Sequence, residues 1–64
     1  MFIGVINAIT LQYVLLNPNY IVRVCPPPNV DYKVGSVIFF DDGSEMRVQE
    51  TQDQIADMIN LRYR

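Results

Sequence analysis

Apolar, β-branched runs broken by short polar interruptions fill most of the chain, and a helical spacing appears only at its end. Met1-Phe2-Ile3-Gly4-Val5-Ile6 and Thr10-Leu11-Gln12-Tyr13-Val14-Leu15-Leu16, interrupted around Asn7, predict strands over about 2–8 and 10–16. Asn17-Pro18-Asn19 is a turn signal, because proline fixes φ and asparagine tolerates the left-handed region. A third strand over 20–25 would place Tyr20, Val22 and Val24 on one face. Pro26-Pro27-Pro28 cannot donate ladder hydrogen bonds and must stop it. After a loop, a fourth strand spans about 34–40, and Asp41-Asp42-Gly43-Ser44 joins it as a hairpin tip to a fifth over 45–49. There Met46 and Val48 should point inward, with Glu45, Arg47 and Gln49 in water.

Thr51-Gln52-Asp53-Gln54 has the form of a capping box, so a helix is predicted over about 52–62. Ile55, Met58 and Ile59, extended by Tyr63, form its apolar stripe, while Asp53 and Arg62 with Arg64 complement the two ends of its dipole. Val37 and Phe39 alternate with Ile38 and Phe40, so the fourth strand is apolar on both faces. A curled, nearly closed sheet needs that pattern; a one-sided meander does not. The expected architecture is mainly β: one domain over 1–64, a small five-stranded curled barrel with a C-terminal α-helix lying on its own barrel or a neighbour's.

Length sharpens this picture. A domain of 64 residues buries only about 60% of the surface its unfolded chain exposes. Disulfides, a structural metal or oligomerisation usually make up the shortfall. Cys25 is the only cysteine and there is no histidine, which leaves oligomerisation as the expected route. Half of the residues are hydrophobic, as a shared apolar surface would require, although many domains of this size do fold alone. A net charge of −2 argues against the broad basic field of a nucleic-acid binder. Apolar runs too short to span a bilayer, and the lack of a charged region ahead of a signal-type core, read as a soluble, intracellular protein.

Catalytic chemistry is poorly supplied, so an enzyme is the weakest class. No histidine offers a base near neutral pH, and Cys25 reads as a small buried hydrophobe. Asp41, Asp42 and Glu45 lack calcium-loop spacing, and Gly4, Gly35 and Gly43 open no phosphate-cradling helix. No catalytic residue, metal, cofactor or small-molecule substrate is expected. For a binding surface the candidates are Asn17, Asn19, Arg23, Lys33 and Arg47. Tyr13, Tyr20 and Tyr32 could stack on bases, although packing in a core or interface is the default for tyrosine. In a symmetric ring one such side chain per subunit becomes a circle of identical groups.

The five short strands and the Asp-Gly hairpin resemble the small Sm-like (LSm) barrels, including compact versions from phage and marine metagenomic sequences, over residues 2–49. That resemblance implies an SH3-like or Sm-like barrel and a ring that binds single-stranded RNA through the loops after strands two and four, here Asn17-Pro18-Asn19 and Asp41 to Ser44. The segment from Val37 through Thr51 into the helix is also similar to small FlbD-type flagellar proteins, short partners of larger machinery. The leading expectation is therefore a homo-oligomeric Sm-like protein that binds single-stranded RNA or DNA in nucleic-acid processing, in the cytoplasm of a bacterial or phage-infected cell. The alternative is a small protein-interaction or assembly module without nucleic-acid binding.

Overall fold

A computed structural model describes residues 1–27 and 35–62. The fold is mainly β, with strands β1 (Ile3–Ile6), β2 (Tyr13–Leu16), β3 (Ile21–Cys25), β4 (Ser36–Phe40) and β5 (Glu45–Val48), followed by helix α1 (Gln52–Arg62). They form two antiparallel sheets, β1-β2 and β3-β4-β5. One bridge, Asn7 to Val48, joins them, reinforced by Ala8 N–H donating to the Arg47 carbonyl and Gln49 N–H to the Ile6 carbonyl, both at 2.9 Å. The strand path is thus β2-β1-β5-β4-β3, zipped at one end only, and it does not close into a barrel among the described residues.

The core lies between the hairpin, the larger sheet and the helix. Ile3 and Val5 of β1, Leu16 of β2, Ile38 of β4, Val48 of β5 and Ile55 of α1 are its buried members, with Val14, Ile21, Val24, Phe40, Met46, Met58 and Ile59 packed around them. Alternation explains the set: Ile38 and Met46 pair across β4-β5 and Val24 pairs with Ile38, so one face of three strands points the same way. Ile55, Met58 and Ile59 bring the apolar stripe of α1 onto that face. The capping box forms as spaced, with Gln54 N–H donating to Thr51 Oγ1 at 3.2 Å and Thr51 N–H to Gln54 Oε1 at 2.9 Å. Glu50 ties the layers together: its carboxylate accepts from Ile6 N–H, and its carbonyl accepts from the buried Ser36 hydroxyl.

Three local features differ from the sequence reading. The first two strands are shorter, because Asn7 builds a turn whose side-chain oxygen accepts from Ile9 and Thr10 N–H and whose carbonyl accepts from Leu11 N–H. Tyr20 ends a 3-10 turn (Pro18–Tyr20) and does not begin β3. The third difference is a bulge between Ile21 and Arg23, which breaks the alternation and leaves Val22 exposed, so Tyr20, Val22 and Val24 do not share a face. Pro28, Tyr32, Lys33, Val34, Tyr63 and Arg64 lie outside the described residues.

Candidate functional site

The face of the β3-β4-β5 sheet turned away from the core carries Arg23 and Cys25 of β3, Val37 and Phe39 of β4, and Glu45 and Arg47 of β5. Arg23 pairs with Phe39, and its guanidinium sits 4.3 Å from the ring centroid, a cation–π stack on a half-buried ring. Arg47 lies diagonally opposite across Val37. Sequence alternation predicts a solvated Arg47, but the side chain is half-buried, with Nη2 shielded from water. Cys25, expected in the core, is half-buried on this outer face beside Val37.

The two loops that the Sm-like resemblance singles out come to one end of the sheet, where Asp41 N–H donates to the Tyr20 carbonyl. Asn17 is committed locally: its side-chain oxygen accepts from Asn19 N–H at 3.0 Å and caps the 3-10 turn. Asn19 is exposed beside it. Opposite stands an acidic tip. Asp42 Oδ1 accepts from both the hydroxyl and the N–H of Ser44, which holds its carboxyl below its ordinary 3.8, the hydroxyl bond contributing most. Asp41 and Asp42 beside Asn17 and Asn19 make this end a poor host for a phosphate chain. Of the five predicted residues, the fold groups Asn17 with Asn19 and Arg23 with Arg47, in two separate places; Lys33 lies outside the described residues.

An open cleft of about 390 Å³ between β3 and α1 is lined by Val24, Gln52, Asp53, Ile55, Ala56 and Ile59. Across it Gln52 Nε2 donates to the Val24 carbonyl, which covers part of the outer edge of β3. No group of three or more metal-ligating side chains occurs among the described residues. No helix among them is long and apolar enough to cross a membrane.

The β1-β2 hairpin carries an exposed apolar face of which the sequence reading singled out Tyr13 alone. On its outer face Phe2, Tyr13 and Leu15 are 54%, 70% and 57% exposed, and at its turn Ile9 and Leu11 are 78% and 67% exposed. A readable signal was available, since no charged side chain occurs before Arg23. Phe39 was missed for a different reason: its pairing with Arg23 depends on a register that no local pattern encodes. No protein-family model, curated protein or solved structure matches the chain.

Proposed function

We propose that this chain is a self-assembling β module, a homo-oligomer that works through its surfaces and not by catalysis. The observation that carries this reading is the uncharged outer face of the β1-β2 hairpin, where large apolar side chains stand in water beside a core with seven buried hydrophobic residues among those described. A contiguous exposed apolar face on so small a core is what a contact surface requires. In this reading the two sheets are halves of an Sm-like or SH3-like curled barrel, and the subunit contact completes the burial that one copy lacks. Linkage supplies the test, because a protein stabilised by its own association resists urea better as its concentration rises. The urea midpoint should climb between micromolar and near-millimolar protein; a midpoint that stays constant over that range contradicts self-assembly.

A second reading rests on the Arg23–Phe39 stack. A ring stacked under Arg23, with Glu45 opposite it on β5 and Arg47 on the diagonal of the same sheet face, is the kind of platform on which single-stranded RNA or DNA bases stack. Repetition over an oligomer would strengthen so small a site. Arg23 is the residue to change, being exposed where Arg47 is half-buried. Arg23→Ala should weaken retention of an oligonucleotide in a filter-binding titration, and retention should fall steeply with salt. Retention indifferent to both removes this reading and leaves the assembly module.

A further inference from the structure

We propose that the outer edge of β2 is the seam of a two-fold dimer, in which Tyr13–Leu16 of one copy pairs antiparallel with the same strand of a second copy. This rests on the self-assembly reading above and adds to it the surface, the partner and the symmetry. Among the described residues β2 has β1 as its only neighbour in the sheet order. The hydrogen-bond phase of the hairpin follows from one contact: Asn7 N–H donates to the Gln12 carbonyl at 2.9 Å, so Asn7 and Gln12 are a bonded pair. Antiparallel ladders alternate, so Val5–Val14 and Ile3–Leu16 are bonded pairs too, while Ile6–Tyr13 and Gly4–Leu15 are not. Ile6 confirms the phase on the β1 side, since its N–H goes to Glu50 and its carbonyl to Gln49, both away from β2. The backbone N–H and C=O groups of Tyr13 and Leu15 therefore point out of the sheet at its edge.

Those groups are self-complementary. With a two-fold axis at Val14, Tyr13 faces Leu15 of the second copy, and each such pair exchanges N–H···O bonds in both directions. The outward side chains of the same residues then meet as aromatic–aliphatic cross-strand pairs, and both are more than half exposed in the single chain. Gly4 leaves room for this, because the Tyr13 ring lies across it, where a Cβ would strike the Tyr13 hydroxyl. The edge also lacks the devices that natural edge strands use against pairing: Tyr13–Leu16 has no charge, no proline and no bulge. The opposite edge, β3, has a bulge at Val22 and the Gln52 side chain on Val24.

Charge selects the second copy as occupant. The hairpin belongs to a 22-residue stretch without a charged side chain, so two copies meeting there desolvate no ion. An isologous seam closes as a dimer, whereas a head-to-tail contact would build a ring.

Leu15→Lys places a charge on each side of the axis and should raise the dissociation constant about a hundredfold or more. Sedimentation velocity should then show the variant as a monomer at concentrations where the parent chain is a dimer, with the far-UV circular dichroism of both alike. A Val14→Cys variant in a Cys25→Ser background gives an independent reading, because Val14 would face its own copy across a non-bonded pair, within disulfide reach. Oxidation should link it into a covalent dimer, and this decides the matter if Leu15→Lys fails to fold. A Leu15→Lys protein that remains dimeric, a Val14→Cys protein that oxidises without dimer formation, or a ring of three or more subunits overturns the seam but leaves self-assembly standing. A parent chain monomeric at every concentration overturns both.

Discussion

Truncating Ile55 to alanine tests how the helix is held. Ile55 is 1% exposed and is the only fully buried side chain of α1 among the described residues; Met58 and Ile59 are half-buried, and Leu61 is 68% exposed. Replacing a buried isoleucine by alanine costs about 2–5 kcal/mol, more where the surroundings cannot collapse into the space. Ile55 borders the open cleft beside Val24 and Ile59, which gives neighbouring side chains room to relax, so about 3 kcal/mol is expected. A chain of this length has a total stability of roughly 3–10 kcal/mol, so the loss is a large share of the whole. Urea unfolding followed by circular dichroism at one fixed protein concentration should show the midpoint falling by roughly 2 M, given a slope near 1.5 kcal/mol per M. Leu61→Ala should lie within about 0.5 kcal/mol of the parent. A cost below about 1 kcal/mol for Ile55→Ala would refute the placement of α1 against the core.

Three smaller predictions concern the loops. Gly35 has φ +91° and a Cβ there would strike the Val48 carbonyl, so Gly35→Ala should lower the unfolding free energy, measured by urea unfolding, by about 2 kcal/mol or more; a neutral result would mean the β4 entry is misplaced. Leu11 holds φ +63° at an exposed turn position, so Leu11→Asn should be neutral to stabilising, by up to about 1 kcal/mol in the same assay, and clear destabilisation would contradict the turn geometry. The hydrogen bonds from Ser44 favour ionised Asp42, so the ordering they lend the hairpin tip is fully present above the ordinary carboxyl value and is lost as pH falls through the lower folded one. In an NMR titration Asp42 should have its midpoint below 3.8, and Ser44→Ala should move it upward; no movement would remove the hydroxyl as the cause.

What the sequence foretold is what short-range chemistry controls. The capping box at Thr51–Gln54 and the left-handed Gly43 that turns β4 into β5 are set by a few adjacent residues, and both appear where the pattern puts them. Tyr20 and Val22 were misjudged because a 3-10 turn and a bulge answer to the packing of Pro18 and the register against Phe40, which alternation alone does not contain. The half-buried Arg47 has the same origin: its face depends on Val37 and on the hairpin turn that bonds to its carbonyl. For the candidate site, the residue types on the Arg23–Phe39–Arg47 face were half legible, since charge is visible in a sequence and cross-strand neighbours are not. The uncharged hairpin was fully visible as a run of letters. Its meaning came only with the exposure of Phe2, Tyr13 and Leu15.

The most direct test of self-assembly is absolute mass in solution, by light scattering coupled to size exclusion over a wide range of loading concentrations. The account predicts a discrete species heavier than the 7.4 kDa chain, at twice that mass if the β2 seam is right. A single peak at 7.4 kDa throughout, from a chain that is folded by circular dichroism, would contradict it.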